Sequence, residues 1–577
     1  MQILKKKLIM AENEEEFQKK EHELKLKVLL LEAGEEEAEV VDVPAFAPFL
    51  QRSSVDWGYQ TQPSPLSCRS RRNGRCLWTR GKVMGGSSAL NYMIYMRGSP
   101  LDYDEWAAQG NPGWKYSDVL PYFIKSEDNR NPEYVNLPFH GTGGYQTVEQ
   151  FPYQDTNVNI LLQGYRELGL EEFDLNSDRQ IGTMLLQHTS RDGERLTTNG
   201  AFIRPIRNKR SNLEIRTGAN VMKILIDPKT NVAYGVEYLK NGRVENAYAR
   251  KEVILSAGSI NSPKLLMLSG VGPSEQLESL GITVLQDLSV GYNLQDHTTI
   301  DGVLFTLTNQ TATTATDAQQ RSDVEFYRNT RRGPLSSNGP LQVNAMVQTK
   351  YAGAIRPDMQ YSLDPASVTN FLADPILTSE TRVTPLAYYD GLMVRPILLN
   401  PRSRGVVMLN TTDPIFGDPL IYANTFKERV DLLTMVEGIK QSLNLLRTSA
   451  FQSAGIQLAT NLLPGCANLP FGSDDYWACI SMEYTTTIFH PVGTCKMGPK
   501  NDDNAVVDAL LRVYGIANLR VIDSSIMPII PRGNTNAPTI MIAEKGSDMI
   551  KERWLKTGDA FTVLNQYDVT EPFDNCK

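Results

Sequence analysis

The sequence predicts an α/β chain joined to an α+β portion, with one nucleotide-binding half and one half built on an antiparallel sheet. Three observations point there. Residues 25–34, KLKVLLLEAG, form a short apolar run ending in Glu32 and Gly34, which taken alone could be any buried strand and which also fits the second strand of a dinucleotide fold, where such a Glu faces ribose hydroxyls. Residues 252–258, EVILSAG, read as a second buried strand, followed by a helix entry at Ser262-Pro263 and a stop at Gly270. From residue 298 to 482 the composition shifts to Thr, Asn and Pro among alternating apolar residues, for example at 303–307 and 405–409. That pattern suits an antiparallel sheet with helices on one face.

The 577 residues suffice for two or three domains with a large core. A formal charge of −8 with no long basic cluster argues against a nucleic-acid groove and gives no reason to invoke an anionic membrane. No apolar run approaches the roughly 18–20 residues that span a bilayer, so no membrane span is expected. Residues 1–25 are mostly Glu, Lys and Gln around a short Leu8-Ile9-Met10 patch. They read as a solvated helix or a disordered tail, without the apolar core of a signal peptide. Residues 556–577 read as a C-terminal tail.

Between these ends the chain is organised around residues 79–98, which concentrate Gly81, Gly85, Gly86, Ser87, Ser88 and Asn91 ahead of apolar 92–96. Glycines let backbone lie close to a flat ligand, although a plain Gly-rich turn has the same composition. His140, in FHGTGG, reads as a surface histidine on a loop suited to an active-site lid. Residues 204–210 are a solvated basic face. Residues 213–216 form a strand, alternation of Val221, Lys223 and Leu225 suggests a sheet edge, and 231–235 and 241–242 mark turns of a β meander. Residues 426–446 have amphipathic helical spacing. His297, beside Asp296, reads as a structural hydrogen-bonding group rather than a catalytic one. Cys495 follows His490 by five residues, but no oxyanion motif accompanies it and a nucleophile is not expected. Five scattered histidines supply no metal site. Cys68/Cys76 and Cys466/Cys479 form local pairs that spacing leaves open as free thiols or short-loop disulfides.

Residues 79–98, TRGKVMGGSSALNYMIYMRG, resemble the first signature of the glucose-methanol-choline (GMC) oxidoreductases, and 258–273, GSINSPKLLMLSGVGP, resemble the second. HPVGTCKMG from His490, LRVIDSSIMP from Leu519 and GNTNAPTIMIAEK from Gly533 resemble that family's catalytic C-terminus. The look is that of its insect glucose dehydrogenase type, which uses FAD and a quinone. The resemblance implies an FAD-binding Rossmann-like domain from residues 26–150, 205–300 and 498–555. It also implies an antiparallel-sheet substrate domain from 151–204 and 301–497. By the same resemblance Glu32 holds the ribose and Val83, Gly86, Ser87, Asn91, Tyr92, Met93 and Ile94 approach the flavin or its diphosphate. Val221 touches the adenine, and Asp523 and Ala537 contact the cofactor.

His490 is then the base that takes an alcohol proton, since imidazole titrates near neutrality, and Asn536 holds the substrate oxygen beside it. Asn536 also suits a helix N-cap. The implied activity is oxidation of a CH–OH group of a small-molecule alcohol, with hydride passing to FAD and then to a quinone or oxygen. One expected part is missing: no glycine precedes Leu26, so the strand and G-x-G-x-x-G turn that hold the FAD diphosphate are not found. A truncated form, or a silent relative without FAD, would explain that. Lyase chemistry on the same scaffold is a third alternative. The cysteine pairs and the sequons at Asn309 and Asn410 resemble those of secreted insect members, which implies an extracellular setting although no signal peptide is visible.

Overall fold

The computed structural model describes residues 26–555, apart from 354 and 382. The charged tails and the expected position of the glycine turn lie outside the described residues. In chain order the elements used below are β1 (Val28–Leu31), α1 (Tyr116–Ser126), β2 (Gly182–Leu185), β3 (Leu213–Arg216), β4 (Asn220–Asp227), β5 (Val232–Lys240) and β6 (Arg243–Tyr248). They continue with β7 (Val253–Leu255), α2 (Gly258–Leu268), β8 (Thr298–Ile300), β9 (Leu304–Thr306), β10 (Val343–Val347), β11 (Met359–Ala366) and β12 (Gly391–Leu398). The last are α3 (Arg429–Ser442), β13 (Gln457–Leu458), β14 (Thr485–Thr487), β15 (Leu519–Val521) and α4 (Asn536–Leu555).

β1 and β3 pair in parallel, with Val28 opposite Leu213 and Leu31 opposite Arg216. β7 and β15 form a second parallel pair, Val253 opposite Leu519. β4, β5 and β6 are an antiparallel meander whose turns place Asn231 and Asn241 at φ 54° and 50°. Asn tolerates that left-handed backbone better than most side chains. The other half is one eight-stranded sheet in the order β13-β9-β12-β11-β10-β2, with β8 joining β12 to β14. Its pairings are antiparallel, as the alternating composition predicts.

Two separate cores match these halves. Trp106, Leu266, Val492, Ile522 and Met541 belong to the first, and Leu304, Phe305, Met359, Ile439 and Trp477 to the second. Val492, Cys495 and Met497, placed by sequence at the end of the second unit, pack in the first core. Cys495 N–H donates to the Ser525 carbonyl and Met497 N–H to that of Ile526, which ties the strip after His490 to the segment following β15.

α2 begins at Gly258, four residues before the expected entry, and carries Pro263 inside it. A proline leaves the carbonyl four residues earlier without its helical donor. Here that carbonyl, Ser259 O, accepts from Thr494 Oγ1 at 2.7 Å, so the helix continues past the proline to Leu268, and the chain then turns at Gly270, at φ 85°.

Both local cysteine pairs are disulfides, with Cα–Cα separations of 5.6 Å for Cys68–Cys76 and 5.9 Å for Cys466–Cys479. His140 is not a surface residue. It is buried between Glu127 and Asp174, each 2.8 Å from one ring nitrogen, because Arg97 and the two carboxylates draw the glycine-rich loop inward.

Candidate active site

A cavity of about 2100 Å³ lies where the two halves meet. Glu32, Gly86, Ser87, Asn91, Tyr92, Met93, Ile94, Val221, His490, Asp523 and Asn536 all line it. The Gly-rich stretch reaches the cavity as folded backbone. A Cβ on Gly81 would lie 2.2 Å from Gly86 O, so the chain crosses itself there with no room for a side chain. Gly86, at φ 55°, has open space where a Cβ would stand. Asn91 Oδ1 accepts from Met93 N–H and from the buried Arg195 guanidinium, which locks the turn ahead of Met93 at φ 65°.

Two residues expected at the cofactor do not line the cavity. Val83 is fully buried against Val41, Leu50 and Leu90, because the strip alternates and its neighbours Lys82 and Met84 take the cavity side. Ala537 is buried in the first core, one position beyond the cavity-lining Asn536. Asp523 lines the cavity but spends its carboxylate locally. Its Oδ2 accepts from Gly258 N–H at 2.8 Å and Ser262 Oγ at 2.5 Å, and Oδ1 accepts from Ser525 N–H. It therefore caps the α2 N-terminus, a favourable place for an anion. Burial raises the Glu32 carboxyl above its ordinary value, against the pull of the Gly34 and Ala33 amides.

His490 is buried at the cavity edge and its geometry fixes a tautomer. His297 Nε2 lies 3.2 Å from Leu399 O, an acceptor only, so that nitrogen carries the proton. Burial holds His297 neutral, with its pKa pushed down to about 3. Its Nδ1 is then an acceptor, 3.0 Å from His490 Nδ1, which must donate. The lone pair of His490 is left on Nε2. Burial first, then His297 and the Arg80 cation, push His490 well below the ordinary imidazole value, so this lone pair is free at neutral pH. Asp296 accepts from His490 N–H at 2.9 Å and holds the backbone, while Phe489, at φ 64°, turns the chain.

Asn534, not Asn536, is the amide next to that lone pair. Asn534 Nδ2 lies 3.5 Å from His490 Nε2, and Asn534 Oδ1 faces Gln360 Nε2 at 3.5 Å. Asn536 starts α4 and lines the cavity two residues further on. Both asparagines sit in the motif GNTNAP, and the sequence signal that could separate them is the helix start, which leaves Asn534 on the preceding loop. Cys495 is buried, and burial raises its thiol far above the ordinary value, which suits an inert core residue.

Comparison with known proteins decides the family. The GMC oxidoreductase N-terminal model matches residues 53–299 and its C-terminal counterpart matches 401–543. The chain belongs to the GMC oxidoreductases. It is 40% identical to the glucose dehydrogenase [FAD, quinone] of Drosophila melanogaster over 531 residues, 92% of this chain and 83% of that one. It is 37% identical to ecdysone oxidase of Bombyx mori, across 91% of this chain and 78% of that one. Among solved structures, pyridoxine 4-oxidase from Mesorbium loti superposes with a TM-score of 0.75 at 28% identity, covering 90% of this chain and 94% of that one.

FAD is the cofactor of this GMC enzyme, and the residues present fit it. The cavity is larger than the 300–1,000 Å³ of an ordinary ligand pocket. Gly86 and Gly258 both turn at positive φ with no atom within 4 Å of a Cβ position, as close backbone approach to a ligand requires. Glu32 closes β1 at the same cavity.

Proposed function

We propose that this GMC oxidoreductase removes hydrogen from a CH–OH group, with His490 Nε2 taking the hydroxyl proton. The observation that carries the reading is the hydrogen-bonded chain from Leu399 O through His297 to His490, which leaves one basic lone pair at the cavity. FAD, when bound, supplies the acceptor for the carbon-bound hydrogen that no side chain can supply. Asn534 Nδ2 donates toward the same point and can hold the substrate oxygen against Nε2, while Gln360 holds the Asn534 amide from behind. The depressed basicity of His490 keeps it ready to accept a proton and returns that proton easily once the alcohol has been oxidised. This assembled pair favours an enzyme over a silent relative.

The Drosophila melanogaster relative carries "FAD, quinone" in its name, which supports a quinone as the final acceptor here; quinone reduction outpacing oxygen consumption is the check. The two disulfides and the exposed sequon at Asn309 support a disulfide-permissive, extracellular setting. For the chemistry itself, anaerobic reduction of bound flavin by substrate is the test. His490→Ala slows it by roughly 10²–10⁴-fold with flavin still bound. Asn534→Ala slows it more than Asn536→Ala. An undiminished rate in His490→Ala would sink the assignment.

A further inference from the structure

The substrate-domain wall of the cavity carries a polar stripe that starts at the Gln360–Asn534 contact and runs on beyond the catalytic pair. β11 alternates with period two, as a strand must. Tyr361 and Leu363 point into the second core, whereas Gln360, Ser362 and Asp364 line the cavity. On the neighbouring β12, Arg395 stands opposite Ser362 and also lines the cavity. The stripe begins at the catalytic pair, where Gln360 Nε2 faces Asn534 Oδ1, and ends at a fixed ion pair, Arg395 Nε to Asp364 Oδ2 at 3.0 Å. Arg395 is anchored from behind by Asp301, which also binds Arg71 at 2.5 Å, so the guanidinium cannot swing away. Ser362 Oγ, between the two ends on the strand, donates to Asp364 Oδ1 at 3.3 Å.

One atom on this stripe points to a ligand. Gln360 is only 1% exposed, yet its Oε1 is buried with no hydrogen-bond partner. Buried acceptors are costly to leave unpaired, and a hydroxyl donor from a substrate would satisfy this one. Gln360 and Asp364 are four strand positions apart, about 13 Å along the wall. A monohydric alcohol held at His490 would leave that length unmatched.

We propose that Gln360, Ser362, Asp364 and Arg395 form a specificity ladder, which selects substrates bearing several hydroxyls along an extended body. The inference rests on the reading of His490 as the base of alcohol oxidation. Sugars and polyhydroxylated sterols share the required chemistry, and the ladder treats both as polyols.

The experiment measures kcat/KM of the flavin-loaded enzyme for D-glucose, maltose and ecdysone, each against 1-hexanol, in the wild type and in Ser362→Val and Asp364→Asn. Wild type is expected to prefer at least one polyol to 1-hexanol by about 100-fold or more, and each variant to reduce that ratio by about tenfold or more. The loss should fall mainly in KM. Whichever polyol shows the largest ratio identifies the source. A wild-type preference for 1-hexanol, or a ratio unchanged within twofold in both variants, overturns the ladder. Thermal stabilisation by the polyol is read in parallel, so a variant that folds poorly is recognised by its own melting curve and the wild-type ratio still decides. If no alcohol reduces the flavin while a polyol still raises the melting temperature, the oxidation reading fails and the ladder stands. If a polyol neither binds nor is preferred, the ladder fails.

Discussion

At the scale of single residues, His490 is a base because of what surrounds it. Its Nε2 is basic and unprotonated only because His297 accepts at Nδ1, and His297 accepts there only because Leu399 O claims its other nitrogen. Replacing His297 with Leu removes the acceptor and lets the His490 proton move to Nε2. That change lowers kcat by about tenfold or more, whereas His297→Asn, which can present an oxygen at the same place, retains most of it; steady-state kinetics on the pair of variants is the check. The pH profile follows with a definite sign. Burial, His297 and Arg80 all depress the His490 pKa, so the acid limb of kcat/KM lies below the ordinary imidazole value near 6.5. Arg80→Met removes one cation and raises that pKa. The acid limb then moves to higher pH, and a limb that moves to lower pH would refute the assignment of its cause.

At the scale of elements, the glycine stretch is a crossing of two backbones before it is a ligand site. Gly34 and Gly81 sit where an added Cβ would meet Lys82 O at 2.1 Å and Gly86 O at 2.2 Å. Gly81→Ala must therefore push the strip apart, with a loss of roughly 2 kcal/mol or more and weaker flavin retention, measured by chemical denaturation and by flavin content after gel filtration. The composition of this stretch was legible because close backbone approach demands glycine, whatever the rest of the fold. The inward or outward direction of single residues within it was not legible, and Val83 is the example: its place against Val41 and Leu50 depends on how residues 41–50 fold over the strip. Asn534 was missed for a related reason. A helix start decides which of two asparagines two positions apart meets the histidine, and boundaries are the least certain part of a sequence reading.

At the scale of the whole molecule, the strands read from the sequence fell where apolar period and composition placed them, and β7 and the antiparallel half bury a patterned face; β1 is the exception, because Val28 and Leu29 are exposed and the strand, expected to be buried, lines the cavity instead. Long-range polar contacts leave no such period. His140 shows it, because its partners Glu127 and Asp174 come from separate segments, 13 and 34 positions away, and only the folded chain brings them together. The cluster also ties the Gly-rich strip, through Arg97, to the segment around Asp174. Burial alone would lower the His140 pKa, but the hydrogen bonds to Asp174 and Glu127 outweigh it and raise the value above 6.5. Burial would raise Glu127 and Asp174, but Arg97 and His140 for the first, and His140 for the second, bring both below their ordinary values. The raised imidazole contributes stability that is complete below its unfolded pKa and fades as pH rises through its folded one. The depressed carboxylates contribute stability that is complete above their unfolded values and fades as pH falls through their folded ones. Both contributions coexist between about pH 4.5 and 6.5. Unfolding free energies across that interval should therefore be higher in the wild type than in His140→Leu, with the difference narrowing as pH is taken above the folded imidazole value. A difference that grows with rising pH would mean that His140 is buried neutral and that the cluster is held by Arg97 alone.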